Sequence, residues 1–106
     1  MTRKSKRAKA CDIPMSVKRA VHERDGELCI LCSRLGAPNA HFISRAQGGL
    51  GIEQNIVTLC HDCHTEYDHT AKRKVIRGWI EHYLRLQYPE WNEEDLVYSK
   101  MKGLEG

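Results

Sequence analysis

The segment TLCHDCHTEYDH, residues Thr58–His69, holds the densest group of metal-binding residue types in the chain. Its two cysteines, Cys60 and Cys63, are separated by two residues, and histidines and carboxylates stand close beside them. Thiolates and imidazoles are ligands that zinc prefers, so the segment predicts a metal site. The imidazoles and carboxylates exceed what a single four-ligand zinc site needs, and they indicate a second role beside it.

A second pair with the same spacing, Cys29 and Cys32, completes a set of four thiol ligands. The two-residue gap lets both thiolates of a pair reach one ion, and two pairs close a tetrahedral zinc shell. Because a closed shell leaves no position for a substrate, we predict a structural zinc bound by Cys29, Cys32, Cys60 and Cys63. The zinc knuckle spans residues 29–63. The fifth cysteine, Cys11, is predicted to be a free thiol near a flexible N-terminal arm.

The length of the chain, 106 residues, fits one domain with a small core. No apolar run approaches the roughly 18 residues of a membrane span, and the basic N-terminus leads into no apolar stretch of the kind found in signal peptides. Paired cysteines in a chain without a signal peptide favour zinc over disulfides and a reducing compartment. The sequence therefore predicts a cytoplasmic protein with no membrane partner.

The net charge of +3 is unevenly distributed. Residues 1–11 are basic with no acidic residue among the first ten, and such a block predicts a disordered arm. The arm is either a solubilising tail or a phosphate-contacting segment. A second basic cluster follows the cysteine-rich segment. The predicted nucleic-acid-binding residues are Arg3, Lys4, Lys6, Arg7, Arg45, Lys72, Arg73 and Lys74.

Apolar spacing predicts the secondary structure of residues 12–106, which we take as one domain. A helix is expected over residues 13–24, a short strand over residues 40–44, and an extended return segment over residues 55–60. A further helix is expected to start near Cys63. C-terminal helices are expected over residues 72–98, with Pro89 as an interruption and with Trp79 and Trp91 in the core.

The central segment contains four features in a fixed order along the chain: His41, the pair Gly48-Gly49, Asn55, and then Leu59 to His64 with its Cys-x-x-Cys-His. This pattern resembles the HNH endonuclease motif, and it is most similar to small phage-type HNH nucleases with a four-cysteine zinc knuckle. The resemblance covers roughly residues 12–68. It implies an α+β fold, a small zinc-stabilised ββα-metal domain with flanking α-helices, and the activity of a metal-dependent DNA endonuclease.

The resemblance implies a role for each matching residue. His41 falls at the general base, Asn55 at the middle asparagine of the motif, and His64 at a ligand of a catalytic divalent cation. For Asn55 the residue type favours bracing the hairpin beside His41 over direct catalysis, since a side-chain amide at a loop corner ties backbone groups. Asp68 lies four residues after His64, on the same helix face, and is predicted as the second ligand, with His69 as the alternative. Such a set accepts Mg²⁺, Mn²⁺ or another divalent cation.

One position departs from the family pattern. Many members carry Asp or His immediately before the general base, as a metal ligand, whereas this chain has Ala40. The alternative function is therefore a non-catalytic, zinc-containing DNA-binding module that has lost this ligand. DNA is the expected partner under either function. The resemblance also implies a host cytoplasm and partners among phage DNA-processing or packaging proteins.

Overall fold

The computed structural model describes residues 5–99 and confirms an α+β architecture. Its regular elements are α1 (Lys6–Cys11), α2 (Met15–Arg24), β1 (Ala37–His41), β2 (Ile56–Leu59), α3 (His61–His69) and α4 (Arg73–Gln87). The described part of the chain also contains three short 3-10 turns, at Arg45–Gln47, Glu53–Asn55 and Glu93–Leu96. Within residues 5–99 no helix is both long and apolar enough to cross a bilayer.

Strands β1 and β2 pair antiparallel and carry the centre of the fold. Ala40 lies opposite Val57 and His41 opposite Ile56. β1 begins and ends three residues earlier than predicted. Beyond His41 one more backbone bond forms, from the Phe42 N–H to the Asn55 carbonyl over 2.7 Å, and the next donor bonds to a side chain. The Ile43 N–H donates to Asn55 Oδ1 over 2.8 Å, where a regular ladder would use a backbone carbonyl.

Helix α4 packs on the sheet through one apolar stripe. Ile76, Ile80 and Leu84 recur every four residues and are 0–3 % exposed. Trp91 follows the helix and meets the ring of Phe42 edge-on, with the centroids 5.5 Å apart. The prediction that Trp79 belongs to the core is wrong: its side chain is 58 % exposed on the other face of α4, while Trp91 is 6 % exposed.

The C-terminal helical region divides where the sequence predicted. Helix α4 ends at Gln87, before Pro89, which cannot continue the backbone hydrogen bonding. The next helical element is only a 3-10 turn at Glu93–Leu96, with Asn92 Oδ1 accepting from the Glu94 N–H over 3.0 Å.

The predicted disorder of residues 1–11 is wrong for Lys6–Cys11, which form α1. Ser5 caps this helix through its hydroxyl, which accepts from the Ala8 N–H over 3.1 Å. Cys11 is 2 % exposed, so it is a buried free thiol and not one beside a flexible arm. Buried contacts with the rest of the fold order this segment. The local charge pattern, on which the prediction rested, does not indicate such contacts. Arg3 and Lys4 lie outside the described residues.

A buried ion pair that the sequence pattern did not indicate joins α2 to the sheet and to α4. The Asp25 carboxylate has a fully buried side chain and accepts from Arg24 Nε over 2.8 Å and from the Thr58 N–H over 2.8 Å. The Tyr83 hydroxyl of α4 donates to the same carboxylate. Arg24 extends the network to the Ile56 carbonyl over 2.8 Å. One carboxylate thus gathers donors from three elements.

We expect Asp25→Ala to lower the free energy of unfolding by about 3–5 kcal/mol, the range for breaking a buried ion pair. The substitution leaves the Arg24 guanidinium without its charged partner and removes the acceptor of the Thr58 N–H. Urea denaturation measures the change. Glu66→Ala is the matched control, since its pair with Lys72 is exposed and such pairs contribute little. Equal stability of the two variants would contradict a structural role for the Asp25 network.

Candidate active site and metal centre

The four cysteines of the two Cys-x-x-Cys pairs converge at one point. Their sulfur atoms all lie within 4.8 Å of one another, and the Sγ atoms of Cys32 and Cys60 are 3.5 Å apart. Four sulfurs bound to one zinc at about 2.3 Å would stand roughly 3.8 Å from each other. The cluster therefore fits one tetrahedral zinc ion. The predicted gathering of four thiols that could hold a metal is confirmed.

Local backbone geometry shapes both halves of the cluster. After Cys29 the chain turns back on itself: the Ser33 N–H donates to the Cys29 carbonyl over 3.0 Å, and Ser33 has a left-handed φ of 65°. Cys60 is the N-cap of α3, and its sulfur accepts from the Cys63 N–H over 3.4 Å. Helix N-termini and backbone N–H groups stabilise thiolates, which are the form that binds metal.

Cys29 is the thiol best prepared to ionise. Burial opposes its ionisation, but backbone N–H groups, led by that of Cys60, outweigh burial and lower the pKa of Cys29 to about 7. Burial and the neighbouring sulfurs instead raise the pKa of Cys63. Four thiols this close cannot all carry charge without a cation, so a metal that they could hold would stabilise the fully ionised set.

His41 is the last residue of β1, and its side chain lines a polar pocket. Its Nε2 lies 2.9 Å from the Cys11 carbonyl oxygen. A carbonyl can only accept, so Nε2 carries the proton and Nδ1 holds the lone pair. Burial lowers the pKa of His41 below its ordinary value, and Arg45 and His64 act in the same direction. The ring is therefore neutral at pH 7.

His64 and Asp68 line the same pocket as His41, from helix α3. Being four residues apart, they share one helix face, and His64 Nε2 lies 3.2 Å from Asp68 Oδ2. Both side chains are partly exposed, at 33 % and 44 %. The structure thus brings together the base and the two ligands that the sequence predicted. His69 is exposed and is not among the residues lining this pocket.

Asn39 lines the pocket and was not among the predicted site residues. Alternation along β1 places Asn39 and His41 on the pocket side and turns Ala40 into the core, where it is 0 % exposed. The residue that could supply an oxygen beside His41 is therefore Asn39. The strand alternation that gave this answer was already present in the sequence.

Asn55 is fully buried and braces the loop that follows β1. Its Oδ1 accepts from the Ile43 N–H, and its Nδ2 donates to the carbonyls of Ile43, over 3.2 Å, and Leu50, over 2.8 Å. With these bonds the amide is fully engaged by backbone groups. Of the two roles considered for Asn55, the contacts favour bracing over direct participation in catalysis.

Two arginines line the pocket, Arg45 from the 3-10 turn after β1 and Arg73 from the start of α4. Arg45 donates to the Cys11 carbonyl over 3.0 Å and pairs with Asp12 over 2.7 Å. Arg73 donates to the Tyr67 carbonyl over 3.0 Å and lies 3.9 Å from Asp68 Oδ1. Each guanidinium has five N–H donors, so both retain donors that can face a ligand.

The remaining predicted cationic residues differ in how far they are engaged. Lys72 lies 3.7 Å from Glu66, and Arg7 donates to the Ala46 carbonyl over 2.8 Å. Lys6 and Lys74 are exposed, and within residues 5–99 no ion pair holds either of them. The basic cluster after α3 is thus partly used in the fold and is a smaller free positive surface than the sequence indicated.

A larger cavity, of about 590 Å³, lies apart from this pocket, between residues 52–54 and the segment from Tyr88 to Leu96. Its lining contains none of the predicted site residues and is mainly apolar. No family model, curated protein or solved structure matches the chain. The polar pocket, lined by His41, by the candidate cation ligands His64 and Asp68 and by two arginines, is therefore the candidate active site.

Proposed function

We propose that the protein is a metal-dependent DNA endonuclease of the HNH type, which hydrolyses phosphodiester bonds with His41 as general base. The observation that carries the proposal is one pocket lined by His41, His64, Asp68, Arg45 and Arg73. Each group has a distinct task in phosphodiester hydrolysis, and His41 and His64 are also the residues that match the two histidines of the HNH motif. The substrate is assigned to DNA by that resemblance and by the cationic surface.

His41 is prepared to accept a proton. Its ring is neutral at pH 7, since burial lowers its pKa, and its Nε2–H is held by the Cys11 carbonyl. Nδ1 then takes a proton from water as the water oxygen attacks phosphorus and the bond to the leaving oxygen breaks. A base of this kind contributes roughly 10²–10⁴-fold to the rate.

His64 and Asp68 are the residues that would hold the catalytic cation. A nitrogen and a carboxylate oxygen at this spacing fit a hydrated Mg²⁺ or Mn²⁺, which keeps several waters and takes few protein ligands besides the substrate phosphate. Bound there, the cation would polarise the phosphate and stabilise the charge that develops on it. Arg45 and Arg73 supply positive charge to the same pocket, which suits a phosphate group.

The four-cysteine cluster has a separate task in this proposal. Zinc bound by Cys29, Cys32, Cys60 and Cys63 would fix the start of α3, because Cys60 caps that helix. His64 directly follows Cys63, so the zinc site would hold the backbone that presents the cation ligand. The structural metal and the catalytic cation thus occupy different ligand sets only one residue apart in the sequence.

Nicking of supercoiled plasmid across a magnesium and a manganese series tests the activity. His64→Ala is expected to raise the cation concentration needed for half-maximal nicking by at least about 10- to 100-fold. Loss of a group that merely supports a metal ligand weakens metal binding by roughly that factor, and loss of a ligand should weaken it no less. Asp68→Ala should act in the same direction, because it removes the oxygen beside His64.

The matched control is His69→Ala, which removes an exposed histidine outside the pocket. It should leave the cation dependence unchanged. A shift in the His69 variant without one in the Asp68 variant would transfer the ligand role to His69. No nicking by the wild-type protein in either series would overturn the proposed activity.

The second candidate function is a zinc-containing DNA-binding module without catalysis. Ala40 favours it, since the family pattern has a cation ligand there and this side chain is a buried methyl group. Tight, salt-sensitive DNA binding without nicking would support this module. The substitution that would restore an oxygen ligand is Asn39→Asp and not Ala40→Asp, because Asn39 lines the pocket and a carboxylate at position 40 would be buried.

A further inference from the structure

Helix α1 is held against the loop between β1 and β2 at both of its ends. Arg7 donates to the Ala46 carbonyl over 2.8 Å, and the Gly51 N–H donates to the Ala10 carbonyl over 2.9 Å. A six-residue helix is not stable on its own in water, so these contacts and the burial of Cys11 keep it formed. The loop they hold starts directly after His41.

The C-terminal end of α1 delivers one carbonyl to two pocket residues. The Cys11 oxygen accepts from His41 Nε2 over 2.9 Å and from Arg45 Nη1 over 3.0 Å. The last carbonyls of a helix have no partner within the helix, so they are available to such donors. Asp12 adds a carboxylate that holds the same Arg45 guanidinium over 2.7 Å. The chain end of α1 thereby contacts the proposed base and a proposed phosphate-binding arginine together.

The fit between this chain segment and the loop is close at the level of the backbone. A Cβ atom added at Gly51 would lie 1.9 Å from the Asp12 carbonyl oxygen and 2.5 Å from its carbon. A side chain there would force the segment away from the loop, since both neighbours are main-chain atoms. Gly78, on the exposed side of α4, has nothing within 4 Å of an added Cβ and provides a neutral comparison.

We propose that α1 is a positioning element of the active site: docked through Arg7 and Gly51, it uses the Cys11 carbonyl to fix His41 in the Nε2–H tautomer, with Nδ1 as the basic nitrogen. The proposal deepens the proposed function, on which its kinetic part rests. Its structural part concerns only the tautomer of one ring. The basic N-terminal segment would accordingly act on the catalytic step, beyond any contact with phosphates.

Long-range ¹H–¹⁵N spectra of the full-length protein at about pH 8, where a histidine ring is neutral, report the tautomer directly. We expect Nε2–H for His41 in the wild-type protein. Arg7→Ala and Gly51→Ala should give mixed tautomers, while Lys6→Ala and Gly78→Ala should keep the wild-type pattern. Arg7→Ala and Lys6→Ala each remove one positive charge from α1, but only Arg7 contacts the loop, at Ala46 and beside Gly48.

Kinetics of plasmid nicking separate positioning from binding. Arg7→Ala should lower kcat by roughly 10- to 100-fold, the scale of a misplaced catalytic group, and should change KM no more than Lys6→Ala does. Circular dichroism and zinc content identify any variant that fails to fold. If the Gly51 variant fails to fold, the Arg7 variant still tests the proposal.

The outcomes distinguish the two proposals. An Nδ1–H tautomer in the wild-type protein, or an unchanged tautomer in both folded variants, would overturn the positioning role of α1. Mixed tautomers in the variants of a protein that never nicks DNA would support the positioning contact and overturn the nuclease function instead. An equal loss of kcat in Arg7→Ala and Lys6→Ala would mean that α1 acts only through its positive charge, and it would contradict the positioning role.

Discussion

Replacing Cys60 by serine, or stripping the protein of zinc with a strong chelator, is expected to unfold the domain. Structural zinc in small domains contributes on the order of 10 kcal/mol, which equals or exceeds the whole stability of most domains. The loss would be large here because Cys60 lies at the junction of β2 and α3 and caps that helix. The two-stranded sheet and the small core offer little to replace it.

Elemental analysis should find about one zinc per chain in the purified protein and almost none in Cys60→Ser. Cys11→Ser is the matched control: it also changes a buried cysteine, but one outside the cluster. It should retain the zinc, and its free energy of unfolding should fall only by the cost of burying a hydroxyl, about 1–3 kcal/mol. A cooperatively folded wild-type protein without zinc would refute a structural metal at this site.

The second large effect is expected from His41→Ala, which should reduce plasmid nicking by roughly 10²–10⁴-fold. The substitution removes the pocket imidazole whose Nε2 is held by the Cys11 carbonyl and whose pKa is lowered by burial. Zinc content and the unfolding midpoint should change little, since His41 lies outside the cysteine cluster and is only half-buried.

Two further variants make this test specific. His41→Gln offers an amide N–H to the Cys11 carbonyl but cannot act as a base at neutral pH, so it should be as inactive as the alanine variant. His82→Ala, at an exposed position of α4, should cut like the wild-type protein. Full activity of a folded His41→Ala protein would exclude this residue as the base.

Features with a local cause were predictable from the sequence. The two-residue gap in each cysteine pair lets both of its sulfurs reach one ion, and the four sulfurs of the two pairs converge as expected. The four-residue spacing of His64 and Asp68 places both on one face of α3 for the same reason. Helix α2 starts after Pro14 and ends before Asp25, at residues whose backbone preferences mark such boundaries.

Features that depend on distant contacts were not predictable. Helix α1 forms because its backbone meets a loop some 40 residues later, whereas its charge pattern alone is typical of a disordered arm. The carboxylate of Asp25 next to Gly26 indicates a helix end, and nothing in that pattern indicates Thr58 or Tyr83 as partners. The exposure of Trp79 follows from which face of α4 meets the sheet, and both faces of that helix carry large apolar residues.

The unequal exposure of the two tryptophans makes the protein its own optical reporter. Trp79 is 58 % exposed, so a water-soluble quencher can reach it, whereas Trp91 is 6 % exposed and shielded. The shielded indole touches Phe42, the residue that directly follows His41. Emission that survives the quencher therefore originates beside the strand end that carries the proposed base, and it follows the integrity of that corner without any attached label.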